Sequence, residues 1–472
     1  MHGLVHGVIH GDLSIYKHDS LGRQTLTTYA DTTTTQTGFD ALSRRTSSTD
    51  QVGIQTSYSY DALGRLTQVT DVQGNITRYT YDEAGNKTSQ IDAKGRTTYW
   101  HYDGLGRVTS RILPMGQSES FTYDALGNML THTNFNGETA TYSYDVNNNV
   151  EQITYDKDNS TESFTYDAEG NRLTATSAEG TWTYTYDSQN RLSTETQPNG
   201  DVLSYSYDAN GNKTQLDISY ANGDTRTETF TYDALNRLLT VTDKDNKLTI
   251  YAYDAVGNRA SIEYANGNST SYSYDDLNRL TQLQEKAADD SVYQQFDYTL
   301  DDTGRRTEIA ELNGRTSTYG YDDLYRLTTE TIVDPINGNH SASYSFDEVG
   351  NRIQSIVNGV TTDYSYDNND RLTQSGDETY SYDDQGNTLT KTLNSDVTTY
   401  RYNAKQKLTQ ATISEAAQTN TVNYLYNIDG IRIAKEENGI ATNYLVDTNR
   451  DYAQVVAETD NSNQINVEYT FG

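Results

Sequence analysis

The chain has no cysteine, which removes disulfide staples, thiolate metal sites and cysteine nucleophiles. Proline is nearly missing, three in 472 residues, as suits long paired strands that need every N–H. Phe and Trp are scarce at 8 and 2, and only 33% of residues are hydrophobic. Mean hydropathy is −0.83. That is too little aliphatic material for the about two to four globular domains such a length would suggest. No apolar run is long enough to span a bilayer. The first ten residues, Met1-His2-Gly3-Leu4-Val5-His6-Gly7-Val8-Ile9-His10, lack the basic segment and apolar length of a signal peptide. The expectation is export by another route or an N-terminus further upstream. Basic side chains are outnumbered 35 to 67, for a net charge of −32. Such a surface repels nucleic-acid phosphates and anionic membranes.

What the chain does have is tyrosine, 41 of them at regular spacing, which opposes the disorder that so polar a composition would otherwise suggest. The organising stretch is Tyr58-Ser59-Tyr60-Asp61-Ala62-Leu63-Gly64-Arg65-Leu66-Thr67. Tyr58 and Tyr60 share one face of a strand. Asp61 and Gly64 hold the first and fourth positions of a type I turn, where the carboxylate accepts a backbone N–H two residues on and Gly takes the left-handed conformation. The unit returns at Tyr81-Asp82, Tyr102-Asp103 and Tyr123-Asp124, each 21 residues after the last. A period of this size signals a repeat architecture whose stability accumulates from neighbour to neighbour.

A second turn lies within each unit, as at Asp71-Val72-Gln73-Gly74-Asn75 and Asp92-Ala93-Lys94-Gly95-Arg96. Each unit is therefore two strands and two turns, and the predicted fold is all-β, a long antiparallel meander of hairpins. Longer intervals predict hairpin extensions at 219–226, 285–291 and 333–340. Leu66 and Val69, or Leu238 and Val241, are three apart and would face opposite sides of an ideal strand. Either a bulge or a sheet half-buried on both faces reconciles this. Tyrosine ladders between neighbouring strands are expected to bind the array. Residues 1–17 read as an atypical leader, 18–425 as the repeat array and 426–472 as terminal repeats.

Tyr-Asp-x-x-Gly-Asn/Arg at this period resembles the YD repeat of the rearrangement-hotspot (Rhs) family. Fifteen Tyr-Asp pairs, nearly all in phase, carry the resemblance over residues 18–472. Related repeats occur in C subunits of insecticidal toxin complexes, in wall-associated bacterial proteins and in teneurins. The resemblance implies a ribbon coiled into a spiral, hollow YD-repeat shell, which in bacterial toxins encloses a variable C-terminal effector and in teneurins supports adhesion. The stretch Tyr426-Asn427-Ile428-Asp429-Gly430 onward resembles the segment before the C-terminal core of Rhs proteins, and the chain reads as a fragment that stops before that core.

Carboxylates abound, but the recurring Asp is accounted for by turn capping, and no catalytic, cofactor-binding or metal-ligating residue is assigned. Histidines 2, 6 and 10 are spaced by four, yet the Gly after each opposes the helix that would gather them. The loops Asp145-Val146-Asn147-Asn148-Asn149 and Asp367-Asn368-Asn369-Asp370 are similar to calcium loops but lack the bidentate Glu. The glycine-rich turns lack the Lys-Ser/Thr of a phosphate cradle, and Ser shows no nucleophile-elbow pattern. The expected role is a non-enzymatic scaffold, secreted or at a bacterial cell surface, that encapsulates or presents a C-terminal toxin or effector outside this chain. The alternative is an adhesin or filament whose repeats bind carbohydrate or neighbouring cells. No cofactor, nucleic acid or membrane span is expected, and self-assembly stays open.

Overall fold

The Tyr-Asp motif marks the point where a strand ends and a tight turn begins. The strand Gln55–Tyr60 runs into the turn at Asp61, and Leu66–Thr70 leaves it. The Gly64 N–H donates to the Asp61 carbonyl at 3.1 Å, and the Asp61 N–H donates to the Arg65 carbonyl at 3.0 Å. The Asp61 carboxylate accepts from the N–H of Leu63 and of Arg65 at 3.0 and 2.9 Å. Gly64 has φ of +82°, the left-handed value the turn requires. Asn148, Asn190, Asn236 and Asn278 take the same conformation at the equivalent position, as Asn does more readily than other side chains.

The computed structural model describes residues 4–9, 12–415 and 418–471. Among these the chain forms 44 β-strands and no helix, so no helix is present to cross a membrane. Histidines 2 and 10 lie outside the described residues; Leu4–Ile9 pairs with Asp12–His18. The strands cluster into two units, one of residues 1–106 and 250–376, the other of 107–249 and 377–472. Within each unit every strand pairs antiparallel with the next in sequence, for example Gln55–Tyr60 with Leu66–Thr70 and that with Ile76–Tyr81. The all-β antiparallel meander is thus the fold.

Register settles the spacing of Leu66 and Val69. Tyr58 faces Val69, Ser59 faces Gln68, and Tyr60 faces Leu66, which leaves Thr67 without a partner. A β-bulge therefore brings Leu66 and Val69 onto the tyrosine face. The same shift places Leu238 and Val241 opposite Tyr232 and Phe230. The second turn needs no such shift, with Thr70 directly opposite Ile76. The longer repeats extend at this second end: Lys213–Ser219 with Thr225–Tyr232, Leu280–Lys286 with Val292–Leu300, and Leu327–Val333 with His340–Phe346.

Each unit holds two tiers of ribbon, far apart in sequence. In the first unit Lys94 meets Asp347 and Arg96 meets Asp370, 253 and 274 residues away. In the second unit Asn136 meets Asp383 and Arg172 meets Asp429, 247 and 257 residues away. These contacts differ in what they bury. The first unit buries mostly small or polar groups, such as Thr27, Ser89, Ser317 and Ser355. The second contains an oily core that overall composition does not suggest. Trp182, Leu203, Leu216, Ile218 and Val456 are essentially inaccessible there. The strand Thr225–Tyr232 alternates buried and exposed along its length. Apolar residues are few, but the second unit collects them in one place.

Candidate functional site

The recurring chemical feature is a clamp that joins one repeat to the next. In Arg65, Nε donates to the Asp61 carboxylate at 2.7 Å, and a terminal nitrogen reaches the carbonyl of Asp82, the next repeat's turn residue, at 2.6 Å. The guanidinium lies over the Tyr81 ring, 4.9 Å from its centroid. Tyr81 closes the loop: its hydroxyl donates to the Leu66 carbonyl at 2.6 Å. Arg44 and Arg191 repeat the Arg half of this arrangement on Asp61 and Asp208, and Tyr60 and Tyr207 the Tyr half on Arg45 and Leu192. The clamp satisfies carbonyls at the turn while stacking a cation on each ring. Among the described residues the stacked rings are therefore not tyrosine on tyrosine: the bulge sets Val69 and Leu66 across from Tyr58 and Tyr60, and Arg takes ring faces, as Arg65 does on Tyr81. Ring-on-ring pairs occur instead at Phe121–His132, Phe296–Tyr298 and Tyr469–Phe471.

Asn replaces Arg in a second form of the clamp. Asn128 Nδ2 donates to Asp124 at 2.9 Å and to the Asn148 side chain of the next turn at 3.1 Å. Asn258 does the same to Asp254 and Asn278. The shorter side chain cannot reach the next carbonyl, so it takes an amide oxygen offered from the left-handed position instead.

The turn carboxylates are fully engaged by these contacts. Hydrogen bonds from the Arg65 backbone hold the Asp61 pKa below the usual 3.8 against partial desolvation, and the Arg65 side chain adds to them. Asp145 and Asp367, which begin the two loops similar to calcium sites, direct their oxygens inward in the same way. Asp145 accepts from the N–H groups of Asn147 and Asn149 and from the Asn149 amide. Asp367 accepts from the N–H groups of Asn369 and Arg371 and from Arg371 Nε. Among the described residues no group of three or more His, Cys, Asp or Glu is placed to hold a metal ion.

Sequence reasoning missed a buried charged cluster in the second unit. Asp447 is inaccessible and accepts from the Tyr205 hydroxyl at 2.9 Å, Lys213 Nζ at 2.9 Å and Arg450 Nε at 2.6 Å. Burial opposes ionisation of Asp447, but Lys213 and Arg450 hold its pKa below the usual 3.8. Glu195 lies beside it, accepting from the Thr448 hydroxyl at 3.0 Å and from Gln197 Nε2 at 2.7 Å. Without a cation against it, burial raises Glu195 to about 7. Further along, Arg226 is buried against Glu228 and donates to the Val456 carbonyl at 2.8 Å. These groups fasten the terminal strands Ile440–Asp447 and Gln454–Thr459 onto strands 192–232. The only sequence signal was that Asp447 and Arg450 fall outside the repeat phase.

Repeat clamp and buried cluster alike bind protein to itself. The RHS Repeat family model matches residues 39–76, 60–97, 102–139, 166–202, 186–225 and 253–290. No curated protein was found to match the chain in sequence. Among solved structures, the fold is similar to a crystal structure of TcdB2-TccC3, at 16% identity and a TM-score of 0.65, over 97% of this chain and 30% of that one. A crystal structure of TcdB2-TccC3-Cdc42 is similar at 15% identity and a TM-score of 0.59, over 96% of this chain and 32% of that one. The chain thus spans about a third of the length of these solved chains. The chain thus carries RHS repeats in six matched windows, with the Tyr-Asp motif kept in phase between and beyond them.

Proposed function

We propose that the chain is a non-enzymatic scaffold, a length of Rhs shell wall that encloses or presents a C-terminal toxin effector outside the producing bacterium. The observation that carries this reading is the repeat clamp. The chemically capable groups recurring along the chain, Asp, Arg and Tyr, are engaged in holding one repeat to the next, as Asp61, Arg65 and Tyr81 show. The likeness in fold to TcdB2-TccC3 supports the same reading.

The test uses the full gene product. Any polypeptide following residue 472 should resist added protease while the repeats are folded and become cleavable once denaturant unfolds them. Equal cleavage in both states sinks the proposal, as does a gene product with nothing for a shell to hold. Selective binding of the chain to a glycan array would move the assignment to an adhesin.

A further inference from the structure

The fourth position of each Tyr-Asp turn holds positive φ, which Gly takes with least strain. The clamp residue, Arg or Asn, follows it. Wherever a residue other than Gly stands at the fourth position, it touches the clamp residue of the preceding repeat. Asn148, Asn190, Asn236 and Asn278 accept from the amides of Asn128, Asn171, Asn212 and Asn258 at 3.1, 3.3, 2.9 and 2.9 Å. Asp370 and Gln406 accept from Asn351 and Asn387. The Ser43 hydroxyl accepts from Arg23 at 3.2 Å, and the Tyr325 ring centroid lies 4.1 Å from the Arg305 guanidinium. Among the described residues no other non-glycine residue takes positive φ at this position.

Arg is matched differently. Arg44, Arg65, Arg107, Arg191, Arg279 and Arg326 reach backbone carbonyls of the next turn, and the fourth position of each of those turns is Gly. Arg237 and Arg371 likewise precede Gly257 and Gly386. An Arg that has found a carbonyl asks nothing of that residue, so the least strained one stays. In places it also needs the room. A Cβ at Gly304 or Gly430 would stand 3.2 Å from Arg279 Cδ or 2.6 Å from Lys407 Cε. Arg305 faces Tyr325 instead of Gly, and its Nη1, the atom that finds the carbonyl in the other repeats, is buried without a hydrogen-bond partner. Asn86 and Asn149 are mismatched in the opposite sense. Each donates to its own turn Asp, and Gly106 or Gly170 in the next turn has no side chain to offer.

We propose that the clamp residue and the fourth turn residue of the following repeat form a recognition pair, Arg with Gly or Asn with an oxygen-bearing side chain, that specifies which repeat each one accepts as its neighbour. The partner of this surface is another repeat of the same chain. In an array of near-identical hairpins such a pair penalises strands set one repeat out of place, because slip brings Asn to Gly or Arg to Asn wherever the two types alternate. The inference is independent of what the shell wall encloses.

The test is a double-mutant cycle at Asn128 and Asn148 in the full chain, read as hydrogen exchange of strands Thr139–Tyr144 and Val150–Tyr155. Asn128→Arg with Asn148→Gly converts one matched pair into the other. The effect of Asn148→Gly should therefore depend on residue 128. It should be less favourable in the wild type than in the Asn128→Arg background, by about two- to tenfold in exchange rate, the worth of one hydrogen bond. A second variant repairs a mismatch. A Cβ at Gly170 would stand 4.0 Å from Asn149 Oδ1, in ordinary contact, so Gly170→Asn can give the Asn149 amide its acceptor. Exchange of Thr161–Tyr166 and Arg172–Ser177 should then slow relative to the change that Gly127→Asn, facing Arg107, produces around its own turn. An Asn148→Gly effect that is equal or reversed between the two backgrounds overturns the proposal. So does a Gly170→Asn variant that gains no more protection than Gly127→Asn.

Discussion

Glu195 offers a sharp test of the buried cluster, because its replacement by glutamine should strengthen the protein. The carboxyl is 2% exposed and faces the Thr448 hydroxyl, the Gln197 amide and the carboxylates of Asp447 and Asp429. The nearby cations Lys213 and Arg450 are already taken by Asp447. Burial is the largest influence and raises the pKa from the usual 4.5 to about 7. The native state therefore holds this proton more tightly than the unfolded chain does. Native stability is full below pH 4.5 and falls as pH rises through about 7. At 1.36 kcal/mol per pH unit, ionising Glu195 costs the native state about 3 kcal/mol by roughly pH 8. Glu195→Gln keeps both hydrogen bonds, since its carbonyl can accept from Gln197 and its amide can donate to Thr448. It should match the wild type near pH 4 and exceed it by about 3 kcal/mol near pH 8. Trp182 is a built-in reporter, buried beside this site with its indole N–H on Gln197 at 2.7 Å. Urea unfolding followed by its fluorescence in a Trp100→Phe background gives the comparison. If Glu195→Gln is the less stable protein at pH 8, the carboxylate is ionised and bound in the fold, and the reasoning fails.

Two further substitutions test the repeat itself. Gly127 has φ of +97° with no atom close to where a Cβ would stand, so any loss comes from conformation alone. Gly127→Val should cost about 1–3 kcal/mol, while Gly127→Asn, which imitates Asn148 and Asn190, should come close to neutral; local hydrogen exchange of strands Ser118–Tyr123 and Met129–Thr133 reads both. Equal losses for Asn and Val would show that the space is occupied or the turn is of another kind. Tyr81→Phe removes the bond to the Leu66 carbonyl and leaves the ring beneath Arg65. It should cost about 0.5–1.5 kcal/mol, seen as faster exchange confined to the two adjoining repeats. A loss spread over the whole array would mean that repeats do not couple mainly to their neighbours.

The two length scales of this molecule explain what could be read from its sequence. The 21-residue scale is local. Asp61 must accept from N–H groups two and four residues on, and Gly64 must reach positive φ, so their chemistry announces the turn wherever it recurs. The bulge at Thr67 was half legible: the three-residue step from Leu66 to Val69 demanded some break in alternation, but only register shows which. The clamp was less legible still. Arg65 and Tyr81 belong to different repeats, and their period alone cannot show that one lies over the other. The tier scale left almost no trace. Arg96 and Asp370 meet across 274 residues, and each is an unremarkable residue of its own turn. What decides whether a turn leucine is bare or covered is whether another tier lies against it, and residue type responds only faintly. Leu63 and Leu324 are the same residue at the same motif position, one exposed and the other partly covered. Composition misled for a related reason. A mean over 472 residues shows a polar chain, whereas stability in the second unit depends on where its few large apolar groups gather. Trp182, Tyr184, Ala175 and Ile428 meet because a terminal turn lands on a distant strand pair. A repeat protein read one repeat at a time therefore reveals its ribbon, while the contacts between tiers belong to the fold as a whole.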